Sequence, residues 1–365
     1  MVIAKIYQKK GKHKVIIYSK STGTQNGAIG RLETPIKMII EHESDLLTKK
    51  GGICSWLFNV EKSGRFGETI IGQNEFDVFQ AVTEGAGAEN DSIDETYRKF
   101  IEHIQFMKEF TITAEMMEDA NYGVAQDAKR RAENFTRAYY KTINKICEHA
   151  LVSGTKSSSN FARAALDLTT GDGEALFSSS HKWGKNTSGT QANYFWGDIF
   201  SFGASGAREN SASAFESALG ELSVKLRNMK DENGEPLGYT ADTIILPGNR
   251  PAAETIAKKV CGSEGSLGNG YNDINLHFGN WNVVILPNWQ TTDDRVMIMS
   301  SEANKNLSGN MFFNRVPLTV SSWVDNHTGN YVWNGRCRFG VGFGTYKHIL
   351  LAVDSVSAVS GAAKL

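Results

Sequence analysis

The stretch Val124-Ala-Gln-Asp-Ala-Lys-Arg-Arg-Ala-Glu-Asn-Phe-Thr-Arg-Ala-Tyr-Tyr-Lys-Thr-Ile-Asn-Lys-Ile-Cys-Glu-His-Ala150 sets the scale of the fold. Its residues Val124, Ala128, Ala132, Phe135, Tyr139, Ile143, Ile146 and Ala150 recur at spacings of three and four, the stripe of an amphipathic helix. Continued to Ser153-Gly154, the pattern covers about 30 residues, or roughly 45 Å of one-sided helix. That is long for a globular domain, and it makes Phe135, Tyr139 and Ile143 core residues of a spine. The opposite face carries Lys129, Arg130, Arg131, Glu133, Arg137 and Lys141, the pattern of a solvated or subunit-facing surface.

Upstream, Thr113 caps a short helix that begins Ala114-Glu-Met-Met. Before it, residues 65–113 form two long β-like segments around Glu84-Gly-Ala-Gly-Ala-Glu-Asn-Asp-Ser92. In the second, Phe100, Ile104, Phe106, Phe110 and Ile112 alternate with more polar residues at period two, broken by Glu102 and Lys108. A continuous strand of this length reaches roughly 50–60 Å, and a two-stranded hairpin that long is marginal alone. Phe76 and Val78 on its first strand, and Phe100, Ile104 and Phe106 on its second, therefore want a neighbouring molecule, with Gly85 and Gly87 in the tip. The alternative is a large internal sheet. Residues 1–30 read as a small hairpin, Val2–Tyr7 against Val15–Tyr18 across the basic run Lys9–Lys14, followed by a flexible arm.

Downstream, Gly171-Asp-Gly-Glu-Ala-Leu-Phe-Ser-Ser-Ser-His-Lys-Trp183 suggests nucleophile chemistry. However, Ser178, Ser179 and Ser180 are too near His181 in sequence to face it, and no third group orients the histidine. A helix with Phe215, Leu219, Leu222, Leu226 and Met229 on one face follows, with Ser213-x-x-Glu216 as its capping box. Asn233-Gly234 turns the chain. Asp242–Pro247 and Trp281–Pro287 are buried strands around a helix starting at Pro251, and the remainder is mostly β-like.

At 365 residues and 40% hydrophobic content, the chain builds a sizeable core. Lys+Arg 39 against Asp+Glu 40 leaves a net charge of -1, with no basic field for wrapping nucleic acid. The four cysteines are far apart without a CxxC or Cys/His cluster, so reduced thiols are expected and a zinc site is not. Gly340-Val-Gly-Phe-Gly344 lacks phosphate-loop spacing and reads as a bend or loop, and Asp293-Asp294, beside a turn, would serve as well for solvation as for metal binding. No cofactor is called for, and no stretch approaches a membrane span.

Taken in order, the β-rich arm, the long hairpin, the spine helix, Asp172-Gly173 with Leu176-Phe177 and His181, the Asp231-Glu-Asn-Gly-Glu-Pro-Leu237 turn, Ile244-Ile-Leu-Pro247 and a closing strand resemble major capsid proteins of tailed bacteriophages. Within them the sequence looks closest to the phage Mu major head protein group. The resemblance covers roughly residues 50–355 and implies an α+β fold of the Hong Kong 97 type. Its parts would be an N-terminal hairpin and arm at 1–61, an extended loop at 62–112 and a peripheral domain with the spine helix at 113–240. An axial domain with a central mixed sheet at 241–335 and a closing strand at 336–365 complete it. It further implies a non-enzymatic subunit that assembles with itself as pentamers and hexamers into an icosahedral head, in the cytoplasm of a bacterial host. Portal and scaffolding proteins, and double-stranded DNA held without sequence specificity on the inner face, are the other partners implied. Leu176, Phe177 and His181 would anchor a structural loop. An encapsulin-like compartment shell is the alternative.

Overall fold

The computed structural model describes residues 16–18, 28–73, 81–84, 95–118, 123–184, 189–200, 208–262, 275, 277–355 and 357–365. In chain order the elements are β1 (Ile16–Tyr18), α1 (Ala28–Lys50), α2 (Ile53–Leu57), β2 (Asn59–Lys62), β3 (Gly67–Gln73), β4 (Glu95–Glu102), β5 (Ile104–Ile112), α3 (Ala114–Glu118) and α4 (Gly123–Val152). Then come β6 (Ser158–Phe161), β7 (Ala164–Asp167), β8 (His181–Lys182), β9 (Thr190–Gln191), β10 (Tyr194–Gly197), α5 (Arg208–Arg227), β11 (Thr243–Pro247) and α6 (Pro251–Gly262). The last are β12 (Asn282–Leu286), β13 (Arg295–Met299), α7 (Ser301–Asn306), β14 (Asn310–Val324), β15 (Tyr331–Phe343), β16 (Ile349–Asp354) and β17 (Ala363–Lys364). Helices and sheets mix throughout, an α+β fold. The chain divides into two compact units, one of Met1–Gly52, His103–Ile143 and Asn314–Phe339, the other of Ile53–Glu102, Asn144–Phe313 and Gly340–Leu365.

In the first unit, β1 runs parallel to β14, with Ile16 opposite Leu318, and β5 runs antiparallel to β15, from Ile112 opposite Tyr331 to Ile104 opposite Phe339. Aromatic rings bind this sheet to the spine helix α4. Phe110 stacks on buried Trp333 with centroids 5.3 Å apart, and Phe135 tilts against the same Phe110 ring at 5.3 Å. Gly335 has no room for a β-carbon because Phe135 lies over it. Tyr139 is buried as well, whereas Ile143 is half-buried. Thr113 accepts a hydrogen bond from the Met116 amide and so caps α3.

The expected arm at 1–61 is in large part the 23-residue helix α1. Ile36, Ile40 and Ser44 lie one turn apart on its buried side, and the Tyr140 hydroxyl meets the Ser44 and Thr48 hydroxyls at 2.7 and 2.8 Å. Val2–Tyr7, the expected partner of β1, lies outside the described residues.

The second unit is organised by a six-stranded mixed sheet in the order β12-β11-β13-β16-β10-β17. β11 and β12 are parallel, β13 is antiparallel to both β11 and β16, and β10 is parallel to β16 and β17. Phe215, Leu219, Leu222 and Leu226 of α5 join Ile256, Ala257 and Val260 of α6 over Ile244, Leu246, Ile298 and Leu350 of the sheet. The β11 residues are buried on both faces, which is why Thr243–Pro247 reads as an unbroken apolar run. Helix α5 starts at Arg208, so Ser213-x-x-Glu216 lies inside it and is no capping box. Of Gly340-Val-Gly-Phe-Gly344, residues 340–343 end strand β15 and Gly344 is the bend that follows, and both later glycines leave room for neighbours. A β-carbon at Gly342 would meet Ile101, and one at Gly344 the Ser308 carbonyl. All four cysteines are free and buried.

Candidate functional site: the hairpin root and the His181 loop

Strands β3 and β4 form a two-stranded antiparallel hairpin with Gly67 opposite Glu102, Thr69 opposite Phe100 and Ile71 opposite Arg98. Cross-strand partners share a face, so the pleat sorts the hairpin into two sides. On the inner side Ile101 is buried with Met311 and Phe313, and Ile70 packs against them. Lys99, also inward and buried, donates to Asp167 and to the Thr169 hydroxyl, each at 2.6 Å. Asp167 is held below the usual carboxylate range: burial would raise it, but the Lys99 and Thr169 hydrogen bonds outweigh that. On the outer side Thr69, Ile71, Arg98, Phe100 and Glu102 are exposed, Phe100 by 51%. Phe66, just before β3, is 61% exposed.

The second β-like segment is not one strand. It stops at Glu102, and after His103 the chain enters β5, which pairs with β15 rather than with β3. Phe106 stacks on Phe339 with centroids 4.8 Å apart and an interplanar angle of 16°. The apolar alternation of 104–112 therefore reports burial within the chain's own sheet, and the paired hairpin ends at Glu102. Ile104 and Phe106 belong to that sheet, while Phe100 stays on the hairpin. Phe76, Val78, Gly85 and Gly87 lie outside the described residues.

Leu176, Phe177 and His181 are all buried. The β8–β9 pairing sets His181 opposite Gln191, and its ring stacks on Tyr346 with centroids 3.7 Å apart and planes 8° from parallel. Nδ1 faces Asp172 Oδ2 at 2.7 Å and Nε2 faces the Leu176 carbonyl at 3.2 Å, so each ring nitrogen meets an acceptor. The two side chains are 0% and 1% exposed. Asp172 lies below the ordinary carboxylate range: burial would raise it, but His181, the Thr170 hydroxyl and the Glu174 amide together lower it further.

The expectation that nothing orients the histidine is therefore wrong: Asp172, nine positions upstream in the Asp-Gly turn of the same stretch, does so through a fold-made contact. Among the described residues no nucleophile faces the histidine. Ser178 Oγ meets Ser180 Oγ at 3.1 Å and accepts from the Ser180 amide, while the histidine's second nitrogen is occupied by a backbone carbonyl. Among the described residues no group of three or more His, Cys, Asp or Glu is placed to hold a metal ion. Also among them, no helix is long and apolar enough to cross a membrane.

A family model described as phage capsid protein matches residues 104–352, more than half of the chain. The chain belongs to the phage capsid protein family. It is a structural shell subunit of a phage capsid, and its work is not catalytic. The match starts at Ile104, the first residue of β5, and leaves the hairpin outside it. Among solved structures, the capsid of Myoviridae phage XM1 is similar at 13% identity over 83% of this chain and 92% of that one, with a TM-score of 0.47. The capsid of cyanophage P-SCSP1u is similar at 10% identity over 84% and 89%, with a TM-score of 0.47. The capsid of a native GTA particle is similar at 14% over 97% and 98%, with a TM-score of 0.46. No curated protein matches this chain. The family match alone carries the assignment, and it does not single out the phage Mu group.

Proposed function

We propose that this capsid subunit closes with copies of itself, as pentamers and hexamers, into an icosahedral head around double-stranded DNA, and that the outer side of the β3–β4 hairpin is a clamp between subunits. The observation that carries the clamp is the split of one thin hairpin into an inner face tied down by Ile101 and Lys99 and an outer face that leaves Phe100 and Ile71 in solvent. A hairpin that only closed its own core would not keep Phe66, Ile71 and Phe100 exposed together. In this reading the peripheral domain is built on the spine helix, the axial domain on the six-stranded sheet with α5 and α6, and the extended loop, expected at 62–112, ends at Glu102. Its paired strands are Gly67–Gln73 and Glu95–Glu102. Assembly takes place in the bacterial host cytoplasm with portal and scaffolding proteins, and the inner surface meets DNA without reading its sequence. The match to phage capsid proteins favours a head over a compartment shell.

The test removes residues 74–94, between β3 and β4, and bridges the strands with a short Gly-Ser linker. The cut leaves Lys99, Ile101 and all of β5 in place. The shortened protein is expected to stay soluble with the parent's melting temperature and to form no closed shells under electron microscopy. Shells of normal yield and stability from it would refute the clamp.

A further inference from the structure

At the root of the hairpin the second unit holds a cavity of about 340 Å³ whose walls include Ile70, Tyr97, Glu232, Leu237, Leu307 and Lys347. Two polar atoms of this lining are buried without a hydrogen bond, the Tyr97 hydroxyl and the second carboxylate oxygen of Glu232. Buried polar atoms are nearly always paired, so two orphans on one cavity mark where a partner belongs. The other charged groups are engaged. Lys347 donates to Glu232 Oε1 at 3.0 Å and to the Trp183 carbonyl at 3.2 Å. Asp172 serves His181 and Thr170, and Asp231 accepts from the Asn233 and Glu235 amides.

The missing partner has a definable chemistry. Asp231 and Glu232 against Lys347 alone leave a surplus of negative charge, so an anion is excluded. The Tyr97 hydroxyl is pushed up to about 12, by burial first and then by Glu232 and Asp172, and remains a neutral phenol able to accept a hydrogen bond. Ile70, Leu237 and Leu307 give the cavity apolar walls beside the residues that carry the two orphan oxygens. The group that matches is a cationic donor on an aliphatic stem, as in a lysine side chain.

We propose that this cavity receives a lysine from the run Lys9–Lys14 of a second copy of the chain. That run holds four lysines and a histidine in six residues with no acid, the charge complement of the cavity. The second copy follows from continuity. Ile71 lines the cavity and also stands on the exposed outer side of the hairpin, where the neighbour is proposed to sit. The inference rests on that interface reading.

Shells assembled from equal amounts of ¹⁵N-labelled and unlabelled full-length protein are treated with a water-soluble carbodiimide, which joins a carboxylate and an ammonium in contact as an amide with loss of water. Digestion is expected to release a peptide of mixed isotope content joining Glu232 to a lysine of Lys9–Lys14, absent from unassembled protein and from Glu232→Gln shells. In titrations of the unassembled subunit, a peptide of residues 7–16 is expected to bind at least tenfold more weakly after Glu232→Gln. Intact shells in which Glu232 is joined only to Lys347, or to lysines elsewhere, overturn the proposal and leave the clamp standing. Absence of shells from the parent protein brings down both. Equal peptide binding by parent and variant, or binding of spermidine in place of the peptide, also refutes it.

Discussion

The ring of Phe100 lies across the α-carbon of Gly67, its diagonal neighbour in the β3–β4 hairpin. A β-carbon at position 67 would run into that ring and come within 2.8 Å of the Ile101 carbonyl. The ring can swing away but the carbonyl cannot, so Gly67→Ala is expected to cost roughly 1–3 kcal/mol, the usual penalty for overpacking. Thermal melting of the unassembled subunit checks it, and an unchanged midpoint would show that the hairpin root yields more easily than its geometry implies.

Phe100→Ser separates stability from assembly. With half of its surface in solvent, the side chain contributes little to the isolated subunit, and the change is expected to stay within about 1 kcal/mol. Shell yield should fall sharply, because an outer-face anchor is gone. Loss of stability without loss of shells would reverse the roles assigned to the two hairpin faces.

In the spine helix, Phe135→Ala should cost about 3–5 kcal/mol, since it empties the space between Phe110 and Gly335. Ile143 is only half-buried, and its truncation should cost less than about 2 kcal/mol. Urea unfolding of the two variants measures the difference, and equal costs would place the buried face of α4 elsewhere.

Replacing His181 with alanine is expected to abolish no hydrolytic activity and to destabilise the fold by roughly 3–5 kcal/mol, because Asp172 is left buried without its partner. The folded-state pKa of Asp172 lies below the ordinary carboxylate value. Its stabilising contribution is therefore complete above about pH 4 and is lost as pH falls through the folded value. An ester or peptide substrate turned over by the parent and spared by His181→Ala would contradict the structural role.

His348 governs a different pH window. Burial pushes it down to about 3, whereas an unfolded histidine titrates near 6.5. Between those values the unfolded chain carries a proton that the folded chain does not. Stability is thus expected to fall as pH drops from about 6.5 towards 3, by up to about 1.4 kcal/mol per pH unit. His348→Gln should flatten the slope between pH 6 and pH 4, and an unchanged slope would assign the acid sensitivity to other groups.

Much of this was readable in the chain. The three-and-four spacing from Ala128 to Ala150 matches the helix Gly123–Val152, and the apolar runs at 244–247 and 283–286 are strands of one sheet, the first inside it and the second, only partly buried, at its edge. The limits have physical causes. Period-two alternation says that one face of a strand is covered but not by what, and so β5 was joined to the hairpin when Phe106 in fact stacks on Phe339. Helix α1 was hidden by the polar composition of residues 19–27, by Pro35 within the helix and by Ser44 as one of its buried contacts. Asp172 could not be paired with His181 from sequence, since a loop and not a helical or strand repeat brings them together.

The buried cysteines bear on how long a finished particle lasts. A phage head leaves a reducing cell for an oxidising medium, where an exposed thiolate would be open to oxidation or to stray disulfides with neighbours. Burial pushes Cys261 up to about 11 and Cys337 up to about 12, and raises Cys147 well above the ordinary thiol value. These groups stay protonated and out of reach of oxidants at any pH a released particle meets. At these three positions, then, durability outside the host does not depend on a cellular reductant, and ageing by thiol chemistry should wait on local unfolding.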